Sequence, residues 1–403
     1  MSTKNILLAV SGGIAVFKAA ALTSKMVQAG FSVKVMMTGG AQEFVTPRTF
    51  QALSREHVYT DTFDEPDPHG IAHIDIADWA DVVLIAPATA DVIGKLANGI
   101  ADDMVTTTLL AATCPVLAAP AMNVHMYSHP AVQRNMKQLT EDGYQFIEPD
   151  EGYLACGYTG KGRMAEPEDL LAMVQHHFIY RSHPAWHGKK VLVTAGPTQE
   201  EIDPVRFLSN RSSGKMGFAL AEEAAARGAD VTLVSGPSSL PDPHGVRRVN
   251  VESAADMYDA VTSRFDEQDL VIKAAAVSDY TPTTPTKQKE KKQDEGTTIN
   301  MKRTKDILLE LGNRKKGQVL VGFAAETEDL EEYAKAKLEK KNLDLICAND
   351  VSGRSSGFQS DNNTLSLFFK DGSSQELELM SKKEAAAAVL DAAGRKWSGP
   401  HDR

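Results

Sequence analysis

The chain has 403 residues, 42% of them hydrophobic and 24% charged, which suits two to three globular domains at about 150 residues per domain. Its formal net charge of −11 at pH 7 argues against a protein that coats nucleic acid, because such binding relies on a basic surface. The three cysteines, Cys114, Cys156 and Cys347, form no CxxC pair, which argues against a disulfide framework and favours a reducing cytoplasm.

The N-terminal residues predict a buried strand. The apolar run of residues 6–10 breaks at Ser11-Gly12-Gly13, which favours a strand entering a tight turn over a signal peptide. Since no stretch approaches the ~18 consecutive apolar residues of a membrane span, we expect no membrane association.

Both halves of the chain open with the same pattern. NILLAV (5–10) is followed by a turn, a helix-period segment ending at Gly30, and the strand FSVKVMMT. KKVLVT (189–194) begins the same series, with a helix-period segment ending at Gly228 and the strand ADVTLVSG. Near-continuous apolar strands of this kind are typical of parallel sheets covered on both faces, so each half predicts a Rossmann-like βαβ domain.

Two polar stretches separate or interrupt these domains. The segment 181–190, which is polar and contains proline, predicts the domain boundary. Segment 281–298 holds no large apolar residue and cannot join a core, so it predicts a disordered loop or a functional lid.

Two turns suit an anion. SGGIA (11–15) stands where a strand meets a helix, so its backbone N–H groups could hold a phosphate, although any such turn favours glycine. NRSSGKMG (210–217) contains Gly-Lys, but no glycine stands five residues before Gly214 and Met216 replaces the Ser or Thr of a P-loop. This segment is therefore interpreted as a polar, glycine-containing helix start that suits an anion, and not as a P-loop.

Three side chains of the first half stand out. His73 precedes the apolar strand VVLIAP, although a lone histidine is more often structural than catalytic. Asn123 follows a strand in PAMN, at the edge where open α/β sheets bind ligands. Cys156 lies in the glycine-rich stretch 152–164, which predicts a mobile loop and an exposed thiol with a chemical role.

Taken together, these motifs resemble two enzyme families joined in one chain. The first half is similar to flavin-dependent cysteine decarboxylases through SGGIA, the histidine before APATAD, PAMN and ACG. The second half is similar to phosphopantothenoylcysteine synthetases through TAGPTQEEIDPVR, SNRSSGKMG, KAAAVSDY, GFAAET and LDLICANDVS. Their order resembles the bacterial bifunctional coenzyme A biosynthesis proteins. The resemblance implies two doubly wound, Rossmann-like domains: a flavodoxin-like flavoprotein domain over 1–188 and a synthetase domain over 189–403.

For the first domain, the resemblance implies FMN-dependent decarboxylation of phosphopantothenoylcysteine to 4′-phosphopantetheine. The flavin would oxidise the substrate thiol, CO₂ would leave, and the enethiol would be reduced again. His73 would assist thiol oxidation, Asn123 would bind the substrate carboxylate, and Cys156 would donate the last proton. Arg163 would contact the substrate carboxylate or phosphate. The implied FMN contacts are Ser11, Gly12, Gly13, Ile14, Thr38, Ala88 and Thr89.

For the second domain, the resemblance implies a CTP- and Mg²⁺-dependent ligase. Phosphopantothenate would attack the α-phosphate of CTP, pyrophosphate would leave, and cysteine would attack the acyl-cytidylate. Asn210 would hold the acyl carbonyl, and Lys289, the first lysine of a KxKK pattern, would close over the phosphates. On composition alone, KQKEKK is a solvated charge run. The implied nucleotide and substrate contacts are Arg206, Ala275, Asp279, Lys305, Asp306, Ile307, Phe323, Lys337 and Lys341; no metal ligands are assigned.

The resemblance also bears on assembly and on alternatives. Related decarboxylases are trimers with FMN at subunit contacts and the synthetases are dimers, which implies a homo-oligomer, a dodecamer of trimers and dimers. A flavin-binding regulatory subunit and a peptide-cysteine decarboxylase stay open as other functions. Retention of His73, Asn123 and Cys156 argues against the first, and the second leaves the C-terminal half unexplained. The preference for CTP over ATP rests on the resemblance alone.

Overall fold

The chain divides into two compact units, Met1–Gln175 and His176–Arg403. The computed structural model describes residues 3–64, 70–153, 159–286, 288, 298–326, 330–350 and 362–397. The domain boundary after residue 188 stays a prediction. Within these described ranges, no helix is long and apolar enough to cross a membrane.

The first unit alternates strands and helices. Its strands are β1 (Asn5–Val10), β2 (Ser32–Met37), β3 (Val58–Tyr59), β4 (Val82–Ala88), β5 (Val116–Pro120), β6 (Gln145–Phe146), β7 (Asp150–Tyr153) and β8 (Thr159–Arg163). Its helices are α1 (Val16–Gln28), α2 (Gly39–Gln42), α3 (Pro47–Ser54), α4 (Ala72–Trp79), α5 (Ala90–Ala97), α6 (Met104–Ala111), α7 (Val124–Tyr127), α8 (Pro130–Glu141) and α9 (Pro167–Ser182), the last of which runs across the division.

Six strands of this unit form one parallel sheet in the order β3-β2-β1-β4-β5-β6. Every residue of β4 is buried, as expected for a strand covered on both faces. The doubly wound, Rossmann-like prediction is confirmed. The strand order is that of the six-stranded dinucleotide-binding fold, and it differs from the flavodoxin order 2-1-3-4-5 that "flavodoxin-like" would require. The difference arises because β2 and β3 both lie on the same side of β1.

The second unit repeats the scheme and extends it. Its strands are β9 (Lys190–Ala195), β10 (Gln199–Glu201), β11 (Phe207–Ser209), β12 (Asp230–Ser235), β13 (Val246–Asn250), β14 (Leu270–Lys273), β15 (Tyr280–Pro282), β16 (Met301–Arg303), β17 (Val319–Glu326), β18 (Leu345–Asp350), β19 (Asn362–Phe369) and β20 (Ser374–Ser381). Its helices are α10 (Lys215–Ala226), α11 (Ala254–Thr262), α12 (Ile307–Arg314), α13 (Leu330–Lys340) and α14 (Lys382–Gly394), with short 3₁₀ helices at Pro184–Trp186 and Phe265–Glu267.

Eight strands form the sheet of the second unit, in the order β13-β12-β9-β14-β17-β18-β19-β20. The first six are parallel, and β19 and β20 add an antiparallel extension. Alternate residues of β9 enter opposite cores: Val191 and Val193 pack on one face and Leu192 on the other. The strand order reverses between β1 and β4 in the first sheet and between β9 and β14 in the second. Open α/β sheets bind ligands at such switch points.

Polar hairpins stand apart from the sheets. β7 pairs with β8, β10 with β11, and β15 with β16, each pair antiparallel. The stretch 152–164, predicted to be a loop, therefore lies partly in strand, because its backbone pairs although few of its side chains are apolar. Likewise, the polar segment 281–298 is entered from β15, which pairs with β16 beyond it.

Candidate functional site

A cavity of about 980 Å³ lies at the carboxyl edge of the first sheet. Loops that follow β1, β2, β4 and β5 line it, as the switch-point rule requires. Its volume is within the range of small-molecule sites. Of the side chains predicted from the sequence, this cavity brings together Gly12, Gly13, Ile14, Thr38, Thr89 and Asn123.

The turn after β1 is built to approach a ligand closely. In the described part of the chain, the backbone N–H groups of residues 12–15 have no protein acceptor, and they lie just before α1. A Cβ atom added at Gly12 would lie 2.6 Å from the carbonyl carbon of Gly40, so only glycine lets the two loops pack together. Free N–H groups at the start of a helix favour an anion.

Ser11 and Ala88 are predicted FMN contacts that lie behind the cavity wall rather than on it. Both are fully buried and neither lines the cavity. Ser11 Oγ donates to the carbonyl oxygen of Pro87 at 2.7 Å and accepts from the backbone N–H of Thr89 at 3.0 Å. These bonds join the β1 and β4 loops, so the structure gives Ser11 an internal role.

Asn123 lies at the cavity edge as the N-cap of α7. Its Oδ1 accepts a hydrogen bond from the backbone N–H of His125 at 2.8 Å, which fixes the side chain at the end of β5. Thr38 caps α2 in the same way, accepting from the N–H of Ala41 at 3.3 Å.

His73 does not line this cavity, and Cys156 is not among the described residues. His73 lies in the first turn of α4 and does not line the cavity. Its Nδ1 is buried and has no hydrogen-bond partner among the described residues. Cys156 falls between β7 and β8, outside the described residues.

The cavity wall also carries charged side chains, among which Arg163 was predicted from the sequence and the two lysines were not. Lys18 and Lys95 line it, and Arg163, predicted to contact the substrate, lines it from β8. Lys95 Nζ lies 3.4 Å from an Asp91 oxygen and 3.1 Å from an Asp102 oxygen. Lys18 could have been found from the sequence, because it is the fifth residue after the SGG turn and lies in the helix that the turn begins.

Two adjoining clefts lie at the carboxyl edge of the second sheet, with volumes of about 560 and 350 Å³. Both are lined by Lys273, Val277 and Asp279, which makes them neighbours across the loop after β14. The larger contains the predicted residues Asn210, Ala275, Asp279, Phe323 and Lys337. The smaller contains Asp279, Lys305, Asp306, Ile307 and Lys341.

The loop after β14 is fastened by hydrogen bonds from its neighbours. The carbonyl oxygen of Ala276 accepts from Asn210 Nδ2 at 3.0 Å and from the Thr198 N–H at 3.3 Å. The N–H of Ala275 donates to Thr194 Oγ1 at 3.2 Å. Only one of the two Asn210 Nδ2 hydrogens is used in this way, so the amide keeps a donor at the cleft.

The two clefts together form a strongly basic surface. Eight basic side chains and two carboxylates line them, in a chain of formal net charge −11. The basic side chains are Arg211, Lys215, Lys273, Arg303, Lys305, Lys337, Lys341 and Lys382. The first turn of α10 adds N–H groups without an intrahelical acceptor. This combination suits a polyanion such as a nucleoside triphosphate.

The pKa values of two cleft residues, Lys273 and Asp306, are shifted by their surroundings. Burial, followed by the positive charge of Lys341, lowers the pKa of Lys273 from 10.5 to about 8. Burial acts to raise the pKa of Asp306, but hydrogen bonds from Lys341 and from the Leu309 N–H outweigh it, so this pKa lies below 3.8. Lys341 Nζ lies 3.0 Å from Asp306 Oδ2.

Of the two remaining predicted residues of the second half, Arg206 lies outside the clefts and Lys289 lies outside the described residues. Arg206 does not line either cleft; its Nε and Nη2 donate to Asp203 Oδ2 at 2.9 and 2.6 Å within the β10–β11 hairpin. Lys289 lies outside the described residues. Across the described residues, no cluster of three or more His, Cys, Asp or Glu side chains could hold a metal ion.

Several cleft residues were missed for different reasons. The quoted motifs KAAAVSDY and SNRSSGKMG contain Lys273, Arg211 and Lys215. These basic residues could have been predicted as cleft residues, because each lies at or shortly after the end of a strand. Lys382, at the start of α14, is brought in by the antiparallel extension and has no local signal.

Family comparisons agree with this two-part organisation. The family described as flavoprotein matches residues 1–179, and the family described as DNA/pantothenate metabolism flavoprotein C-terminal domain matches residues 186–395. The coenzyme A biosynthesis bifunctional protein CoaBC of Bacillus subtilis (strain 168) is 61% identical over 391 residues, covering 97% of this chain and 96% of the relative. The chain belongs to the CoaBC family.

Other members of the family are also similar over nearly the whole length. CoaBC of Escherichia coli (strain K12) is 45% identical over 397 residues, covering 97% of each chain. A crystal structure of the C-terminal domain of CoaBC is 47% identical, covering 51% of this chain and 94% of that domain, with a TM-score of 0.45. Family membership confirms the predicted resemblance. The protein is a bifunctional enzyme of coenzyme A biosynthesis with a flavoprotein decarboxylase domain and a ligase domain.

Proposed function

We propose that this chain catalyses two consecutive steps: CTP-dependent condensation of 4′-phosphopantothenate with cysteine through an acyl-cytidylate, then FMN-dependent decarboxylation to 4′-phosphopantetheine. The presence of two unlike sites in one chain supports this most strongly. The first unit holds a large cavity with free N–H groups at one end, and the second holds a basic double cleft. As an enzyme acting on small molecules, it would work in the cytoplasm, without nucleic-acid or membrane partners.

The first cavity fits FMN. The N–H groups of residues 12–15 would hold the phosphate, with Thr38 and Thr89 at the sides and Ser11 and Ala88 keeping the loops in place. The close packing of Gly12 on Gly40 brings the loops after β1 and β2 together beside this cavity. When bound, FMN would supply two-electron oxidation of the substrate thiol and return of those electrons after CO₂ is lost.

The chain's own groups would bind the substrate and move protons. Asn123, held by its cap bond, would present its amide to the substrate carboxylate. His73 would accept a proton during thiol oxidation, and Cys156 would donate one at the end, since a thiol is a stronger acid than a hydroxyl group. Because His73 does not line the cavity of its own chain, we assign it to the cavity of a neighbouring copy.

In the second unit, the basic double cleft would bind CTP and phosphopantothenate. Asn210 would hold the acyl carbonyl with its remaining N–H, and Lys289 would close over the phosphates. Arg206 would contribute to substrate binding only after release from Asp203, or in another copy's site. Asp279 lines both clefts and fits a nucleotide-bound Mg²⁺, which would neutralise charge on the triphosphate.

Exposed apolar side chains support an oligomer. Ile14 and Phe17 are 61% and 59% exposed beside the first cavity, and Val205, Phe207 and Tyr280 are exposed on the hairpins of the second unit. Burial of the first set in a trimer and of the second in a dimer would close into a dodecamer. Light scattering that gives a monomer at micromolar concentration would contradict this assembly.

The proposed function is tested by two measurements on the purified chain. We expect a flavin spectrum, and pyrophosphate release that requires both CTP and phosphopantothenate. Replacing CTP with ATP tests the nucleotide preference, with slower release expected. A colourless protein that releases no pyrophosphate contradicts the proposal, and a coloured but inactive one favours a flavin-binding regulatory subunit.

A further inference from the structure

A single carboxylate in the first unit is shared by two cations of the cavity wall. Glu166 Oε1 accepts from Lys18 Nζ at 3.1 Å and from Arg163 Nη2 at 2.6 Å. Both cations line the cavity, whereas Glu166 does not. Since one carboxylate faces two positive charges, this group of three side chains keeps a net positive charge beside the cavity.

The same contacts anchor the β7–β8 hairpin at its base. Lys18, whose side chain is 7% exposed, also donates to the carbonyl oxygen of Met164 at 2.7 Å. The hairpin docks on the PAMN segment, because the Met122 N–H donates to the carbonyl oxygen of Gly162 at 3.0 Å. Arg163 reaches under the opposite strand, where a Cβ added at Gly152 would lie 3.7 Å from its Nη1.

The geometry points to Glu166 as a positioning residue for decarboxylation. Its carboxylate holds the Arg163 guanidinium at the cavity wall, so that the other N–H donors of Arg163 meet an oxyanion of the substrate. The ligand chemistry is a carboxylate or a phosphate monoester, both of which the substrate carries. This inference rests on the proposed decarboxylase function and adds a role for residues that contribute neither the base nor the acid.

The chain offers a matched control. Glu168 also pairs with a lysine of α1, its Oε1 lying 2.8 Å from Lys25 Nζ, but the two side chains are 64% and 37% exposed and neither lines the cavity. Glu168→Gln therefore removes an equivalent ion pair between the same two segments without touching the cavity wall.

The test compares Glu166→Gln, Arg163→Gln, the double variant and Glu168→Gln in the full flavin-loaded chain, measuring kcat and KM for CO₂ release. We expect Glu166→Gln to raise KM about tenfold, the effect of losing one charge-assisted contact, with little change in kcat. Glu168→Gln should match the wild type. The double variant should equal Arg163→Gln alone, because Glu166 acts through Arg163.

A second substrate identifies the oxyanion. If the KM effect persists with pantothenoylcysteine, which lacks the phosphate, the oxyanion is the carboxylate; if it disappears, the oxyanion is the phosphate. Additive effects in the double variant, or a Glu166→Gln enzyme that behaves like Glu168→Gln, would overturn the inference. Loss of bound flavin in Glu166→Gln would also overturn it. Failure of the wild-type chain to decarboxylate would instead reject the proposed function.

Discussion

Lys273 lies where the two clefts of the second unit meet, at the carboxyl end of β14. Its pKa of about 8 is depressed from 10.5, so between these values the unfolded chain binds more protons than the folded one. The stability of the free enzyme should therefore rise with pH across this window, with the cost of the buried charge fully present below pH 8.

A bound triphosphate should reverse this depression, because its negative charge favours the ammonium form of Lys273. Nucleotide binding at pH 8.5 should take up roughly 0.5–0.8 proton, and affinity should fall as pH rises above 8. Calorimetry in two buffers with different ionisation heats measures this uptake. Lys273→Met should abolish it, whereas Lys302→Met, at a lysine outside both clefts, should not. Equal uptake in the two variants would assign the proton to another group.

His73 and Cys156 should block the first site at different stages. His73→Asn should prevent substrate-dependent bleaching of the flavin, because the proton acceptor for thiol oxidation is lost. Cys156→Ser should still release CO₂ and then stall, because a serine hydroxyl is a much weaker acid. Mass spectrometry should find a product two hydrogens short. His57→Asn, at an exposed histidine of the same unit, is the control. Normal phosphopantetheine from Cys156→Ser would eliminate the proton-donor role.

At the scale of elements, the β7–β8 hairpin depends on a close backbone contact. A Cβ added at Gly162, where φ is +144°, would lie 2.4 Å from the carbonyl oxygen of Met122. Gly162→Ala should therefore displace β8 from the PAMN segment and reduce decarboxylation strongly, with pyrophosphate release unchanged.

Gly143→Ala separates backbone strain from this clash. Gly143 also has a positive φ, +99°, but nothing lies within 4 Å of an added Cβ. Strain alone should cost about 1–3 kcal/mol of unfolding free energy and leave decarboxylation normal. Thermal unfolding and CO₂ release of both variants make the comparison, and equal losses of activity would reject the docking role of β8.

Sequence patterns predicted the elements whose own residues are apolar and periodic. β1 and β9 with their helices were predicted because burial on both faces requires continuous apolar runs. The hairpins β7–β8 and β15–β16 were not, since backbone pairing and contacts with distant segments hold them. Lys382 was missed for the same reason. Its place in the cleft depends on β19 and β20, whose antiparallel pairing the sequence motifs did not predict.

At the scale of the whole molecule, the two units should function separately. Each has its own sheet and its own buried core, so fragments 1–188 and 189–403 should fold alone. The first should bind flavin and decarboxylate added phosphopantothenoylcysteine, and the second should release pyrophosphate. The intact chain is the control. If neither fragment is soluble or active while the intact chain is both, the boundary or the independence of the domains is wrong.

The central claim is that one chain forms the cysteine amide and then removes the cysteine carboxyl group. Cysteine labelled at its carboxyl carbon tests it directly, with release of labelled CO₂ followed in the presence of phosphopantothenate. We predict that labelled CO₂ appears only when CTP is present, and that phosphopantetheine forms in equal amount. Release of labelled CO₂ without nucleotide would contradict the claim. So would the absence of labelled CO₂ when all substrates are present and pyrophosphate has formed.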